Sequence, residues 1–117
     1  MTTAFVGVTV LCALMTALSA LLKIRHDAHV VKVVHETVGV PMKFLPHLAA
    51  CEIAGAVGVI LGIWAPSLGV VAGSGLVLYF LGAVVAHLRV GDAKGIGAAA
   101  FMCGLSVASL ALRIATR

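Results

Sequence analysis

The stretch HLAACEIAGAVGVILGIW, residues 47–64, decides what kind of chain this is. After His47 it is an apolar, glycine-bearing run interrupted by one carboxylate, Glu52. A membrane-crossing helix needs about 20 mostly apolar residues to cover roughly 30 Å of hydrocarbon. This run is close to that length. Working outward, three more runs qualify: Ala4–Leu22, closed by Lys23 and Arg25; Ser67–Leu88, with Arg89 behind it; and Ala93–Ile114. Four spans in one domain, residues 1–117, predict an all-α integral membrane four-helix bundle.

Composition agrees. Of the 117 residues, 62% are hydrophobic and 10% charged, with a mean hydropathy of +1.21. A soluble domain carries roughly 45–50% apolar and about 25% charged residues, so a water-soluble globule is excluded. The net charge of +4 is spread over short stretches, with no Lys/Arg run and only 5% aromatics. Nucleic acid is therefore not an expected partner; the bilayer is. Cys12, Cys51 and Cys103 are odd in number and show no metal-ligand spacing, so neither a disulfide framework nor a metal site is expected. The amino-terminal run lacks a basic start and is followed by three further spans, so it reads as a span and not as a signal peptide.

The longest connection is Lys23–Pro46. Asp27 is placed to cap a short helix in which Val30, Val31, Val34 and Val38 share one side, ended by Gly39 and Pro41. Lys32, His35 and Glu36 lie on the other side, as in an interfacial helix. His26, His29 and His35 fit no metal-site spacing and read as solvent-facing. The other connections are the tight Ala65-Pro66 and Val90-Gly91-Asp92. Loops one–two and three–four carry Lys23, Arg25, Lys32, Lys43, Arg89 and Lys94, against Arg113 and Arg117 on the opposite side. The positive-inside rule then puts both termini outside and the charged loops in the cytoplasm.

Small residues mark the faces that meet: Gly55, Gly58 and Gly62 in span two, Gly69 and Gly73 in span three, and Gly95, Gly97 and Ala98–Ala100 in span four. In span one, Thr9, Cys12, Thr16, Ser19 and Lys23 follow 3-4-3-4 spacing and share one face. A polar stripe of that kind points inward, to a lined interior.

Glu52 lies more than a turn into its span. A carboxylate there is protonated, paired or functional. His87, on the face with Gly69, Gly73, Phe80 and Ala83, and Lys23 lie at the same end of the bundle as Glu52. An acid, an imidazole and an amine directed to one shallow pocket can carry out acid–base chemistry. Glu52, His87 and Lys23 are thus the candidate catalytic residues, and Cys12, Thr16, Ser19 and Arg89 the candidate substrate-binding ones. For Lys23 and His87 a second role stays open, a snorkelling lysine and an interfacial imidazole. Asp92 is read as the N-cap of span four and Arg89 as an interfacial anchor. Tyr79 and Trp64 are read as interfacial belt residues. No covalent-catalysis motif, phosphate loop or dinucleotide fingerprint is present, and nothing in the sequence requires a cofactor.

Four segments in order resemble the DoxX-like family of small four-helix membrane proteins: LSALLKI (18–24), VGVP (38–41), PHLAACEIAGAVGVILGIW (46–64) and GAVVAHLRVGD (82–92). The resemblance implies a four-helix bundle in a bacterial plasma membrane, with the family's recurring lysine, glutamate and histidine falling on Lys23, Glu52 and His87. It also brings in a quinone, since the family name comes from subunits of quinone-linked oxidoreductases. The leading expectation is a membrane enzyme of the isomerase, cyclase or hydrolase type, or a quinone-linked component. Its ligand would be a lipophilic small molecule, quinone-, terpenoid- or polyketide-like. The alternative is an accessory subunit of a membrane oxidoreductase complex or of a homo-oligomer. A small multidrug-type transporter shares four spans, this length and one membrane glutamate, but that family carries its acid in the first helix.

Overall fold

The computed structural model describes residues 2–25, 28–32, 39 and 41–116. Four long helices account for most of them: α1 (Thr3–Ile24), α3 (Leu45–Leu61), α4 (Pro66–Val90) and α5 (Ala93–Thr116). A four-residue helix, α2 (Ala28–Val31), lies in the long connection, and a 3₁₀ turn, Met42–Phe44, leads into α3. Most of the expected interfacial helix, including Asp27, Val34, His35, Glu36 and Val38, lies outside the described residues.

The chain is an integral membrane four-helix bundle. α1, α4 and α5 are each long and apolar enough to cross a membrane, and α3, at 17 residues, is a shorter apolar helix. At about 1.5 Å per residue α3 covers roughly 25 Å, and turns extend it at both ends. The molecule is 42 Å in its longest dimension, the thickness of a bilayer with its headgroups, about 40–45 Å. The distribution of side chains is that of a protein dissolved in lipid. Leu14, Trp64, Val71 and Leu78 are more than 60% exposed, while Thr9, Thr16, Lys23, Glu52, Ser106, Ser109 and Arg113 are buried.

Each long helix lies beside the next, and α5 returns to α1 to close a ring, so α1 faces α4 and α3 faces α5 across the diagonals. Local chemistry sets the ends. The Thr2 hydroxyl accepts from the Phe5 amide at 3.1 Å and caps α1. Pro66 opens α4, where its missing N–H costs nothing. Gly91, at φ 69°, closes α4 in the left-handed conformation. Its N–H donates to Leu88 O at 3.2 Å and the Asp92 N–H to His87 O at 3.1 Å, the paired bonds of a Schellman turn.

Small residues let α3 and α4 approach in antiparallel register. Gly55 faces Leu76, Gly58 faces Ala72, and Gly62 faces the backbone of Gly69. That last rung leaves no room for a Cβ on Gly62. Arg113 holds the same end together. Its Nη1 donates to Gly62 O at 2.8 Å and Ile63 O at 3.0 Å, supplying donors to carbonyls at the end of α3 that the helix leaves unsatisfied. The guanidinium lies 4.4 Å from the Phe5 ring centroid, a cation–π contact. A cation at a helix C-terminus is favoured by the macrodipole, which explains how an arginine comes to be only 4% exposed here.

The Gly62–Gly69 contact makes a prediction for thermal unfolding in mild detergent. Gly62→Ala is expected to lose about 1–3 kcal/mol through overpacking. Gly75→Ala, where an added Cβ meets nothing within 4 Å, is expected to match or exceed the parent, by up to about 1 kcal/mol. Equal stability of Gly62→Ala and the parent would contradict the close approach.

Candidate functional site

The polar stripe of α1 is an interior face, as its spacing predicts. Thr9, Cys12, Thr16 and Lys23 are buried and Ser19 half-buried. Its polar groups are answered from a neighbouring helix, from within α1, or not at all. Thr9 and Ser109 hydroxyls lie 2.8 Å apart, and Cys12 Sγ lies 3.7 Å from Ser106 Oγ. The Ser106 hydroxyl donates to Met102 O at 2.9 Å within its own helix. Thr16 Oγ1 has no hydrogen-bond partner among the described residues.

At the Lys23 end the stripe meets Glu52. Lys23 Nζ donates to Glu52 Oε1 at 2.6 Å and to Ser19 Oγ at 2.8 Å. The lysine thus folds back one turn along α1, the direction in which helical side chains lean. The Tyr79 hydroxyl of α4 donates to the same carboxylate oxygen at 3.2 Å. Glu52 is fully buried, and its second oxygen, Oε2, has no partner among the described residues. Tyr79 arrives by register: Glu52–Tyr79 is the next rung of the antiparallel ladder after Gly55–Leu76.

Three helices therefore meet at one carboxylate. The arrangement can hold a negative charge against an ammonium and a phenol while keeping one carboxylate oxygen available to a hydrogen-bond donor. It can also exchange a proton, since amine, carboxyl and phenol are all proton carriers.

Several sequence expectations fall elsewhere. His87 does not meet Glu52. Its Nδ1 lies 3.0 Å from Asp92 Oδ2, because the Schellman turn folds the start of α5 back over the last turn of α4. His87 is eight residues beyond Tyr79, about 12 Å along α4. Asp92 does stand just before α5, but its carboxylate is engaged with the imidazole. Arg89 is exposed and touches neither centre through a polar contact. Tyr79, read from the sequence as a belt residue, is instead half-buried against Glu52; Trp64 is 69% exposed, at the turn after α3. Arg113, which the sequence marks only as a topology charge, is buried. The signal for its burial was present, since Ser106, Ser109 and Arg113 repeat the 3-4 spacing of the α1 stripe. All three cysteines are free thiols, and no group of three metal-ligating side chains occurs among the described residues. A shallow depression of about 380 Å³, lined by Thr2, Thr3, Val6 and Gly7, lies at the far end of α1 from Lys23.

Residues 7–109 match the family model of the DoxX-like family. The chain belongs to that family. No curated protein matches it, and no solved structure does. The match to the DoxX-like family reaches into all four long helices, so the shared feature is the bundle, and any chemistry has to be argued from the residues described above.

The separation of the two centres predicts additivity. Tyr79→Phe removes one hydroxyl from Glu52 at constant shape and is expected to cost about 1 kcal/mol. His87→Gln disturbs only the Asp92 pair. Their costs in the double variant should sum to within about 0.3–0.5 kcal/mol, as for sites without shared partners. A larger coupling in thermal unfolding would place His87 in the Glu52 centre after all.

Proposed function

We propose that this DoxX-like membrane protein holds a lipophilic small molecule by its polar head at Glu52 and acts on it by proton transfer. The observation that carries this reading is a fully buried carboxylate with one oxygen engaged by Lys23 and Tyr79 and the other without a partner among the described residues. Burying an acid this way is costly, and a group kept there at such cost in a membrane span is a site hypothesis by default. In this role Glu52 takes a proton from the bound molecule. Lys23 stabilises the anion that forms, Tyr79 and Ser19 keep the pair in place, and the proton returns to another atom of the same molecule. Thr16 and Cys12 line the interior beyond the carboxylate. Quinone-, terpenoid- and polyketide-like molecules are the lipophilic classes that can pair an oxygen-bearing head with an apolar body. His87 and Arg89 fall outside this proposal.

We place the Glu52 end on the cytoplasmic side of a bacterial plasma membrane, with both termini outside. The balance of Lys and Arg supports this. Burial of Arg113 strengthens it, because that arginine serves α3 and does not anchor the opposite surface.

Protein purified in mild detergent, extracted and examined by mass spectrometry, tests the reading. The wild type is expected to carry a lipophilic molecule in near-stoichiometric amount, and Glu52→Gln to lose most of it while keeping its helical content. An empty wild type that co-purifies with a stoichiometric membrane partner would replace the reading with that of an accessory subunit.

A further inference from the structure

The proposed function leaves open which polar head the site accepts, and two buried oxygens bear on that. Glu52 Oε2 and Thr16 Oγ1 are both in residues with no solvent exposure, and neither has a hydrogen-bond partner among the described residues. They are close along the bundle axis. Because Lys23 folds back to Ser19, the carboxylate it holds sits at the level of Ser19. Thr16 is the next interior position of α1, about 4.5 Å along the axis at 1.5 Å per residue.

The fourth side of the bundle is α5, which lies across from α3. The contacts between α1 and α5 run Phe5–Arg113, Thr9–Ser109 and Cys12–Ser106. Continued in the same antiparallel steps, that register sets Met102 opposite Thr16 and Ala99 opposite Ser19. Ala99 is the buried residue here, while Gly97, Ala98 and Ala100 beside it are exposed on the outer side of α5. At the depth of Ser19, therefore, α5 presents a single methyl group to the α1–α5 seam, that of Ala99.

Resting on the lipophile reading above, we propose that the ligand is a hydroxyl donor, a lipophilic alcohol or phenol, which enters along the α1–α5 seam with its hydroxyl between Glu52 Oε2 and Thr16 Oγ1. A carboxylate oxygen can only accept. It satisfies an O–H group and repels a carbonyl or ether oxygen. The hydroxyl of Thr16 then donates to the ligand oxygen, so both orphaned groups are satisfied at once. A ketone or a quinone, with acceptors only, leaves Glu52 Oε2 unpaired, and a buried unpaired polar group carries a heavy penalty.

The experiment uses 3-pentadecylphenol and its methyl ether, alike in apolar body and different in one hydrogen-bond donor, with the full chain in mild detergent and binding read as ligand-induced thermal stabilisation. The wild type should bind the phenol at least tenfold more tightly than the ether. In Glu52→Gln the Lys23 and Tyr79 donors hold the amide oxygen, which leaves the NH₂ at the Oε2 position; both ligand oxygens can accept from it, so the preference for the phenol should be lost. Thr16→Val, which removes a hydroxyl at nearly constant volume, should weaken the phenol several-fold and keep it preferred over the ether, whose oxygen also accepts from Thr16; it serves as the second variant should Glu52→Gln fold poorly. Equal binding of phenol and ether to the wild type would overturn the hydroxyl assignment while leaving the lipophile reading intact. If neither ligand stabilises the wild type, both readings fall.

Discussion

The ion pair between Lys23 and Glu52 is the constraint around which this bundle is arranged. In a membrane, neither charge can be left to solvent, and each is affordable only because the other is 2.6 Å away. The pair fastens the end of α1 to α3. Tyr79 adds a hydrogen bond from α4 to the same oxygen, so three of the four long helices share one carboxylate. The rest of the α3–α4 seam follows in step from that rung through Gly55, Gly58 and Gly62. At the opposite end Arg113 solves the equivalent problem without an acid, by giving its donors to the carbonyls that end α3. Between the two ends the interior is bridged by small hydroxyl and thiol contacts, Thr9–Ser109 and Cys12–Ser106. The polar groups are thus strung along the axis of the bundle, while the outer surface is left to leucine, valine and tryptophan.

Much of this was legible in the residue order, for physical reasons. Hydrocarbon leaves the backbone only helices or closed barrels, so four long apolar runs already implied four helices. Helical periodicity is strict enough that Thr9, Cys12, Thr16, Ser19 and Lys23 could be assigned to one face. A single acid in an apolar run must find a partner, and shared depth pointed to Lys23. What depth could not supply was contact. His87 has the right face and the right end, yet its neighbour is Asp92, because a left-handed glycine turns the chain back on itself there. Periodicity sees one helix at a time, and that encounter belongs to two helices and the turn between them.

Tyr79 and Arg113 were missed for a related reason. Tyrosine in a span suggests an interfacial ring, and its true position follows only from the register of α3 against α4. That register was recoverable, since the tight turn at Ala65-Pro66 brings Gly62 and Gly69 face to face and counting back along both helices reaches Glu52 and Tyr79. Arg113 stands near the end of a span, where a cation usually anchors to headgroups. The serines one and two turns before it, Ser109 and Ser106, mark the face as internal. In both cases the family supplies the bundle, and the chemistry resides in a handful of side chains whose meeting depends on helix register.

The most direct test of the central claim is the coupling energy between Lys23 and Glu52, measured from the unfolding of Lys23→Met, Glu52→Met and the double variant in lipid bicelles. If the pair is the constraint described, each single variant strands a buried charge or its space and loses about 3–5 kcal/mol, and the double variant recovers most of that loss. Costs that simply add would mean that the two residues do not depend on one another, and the account of how this bundle is held together would be wrong.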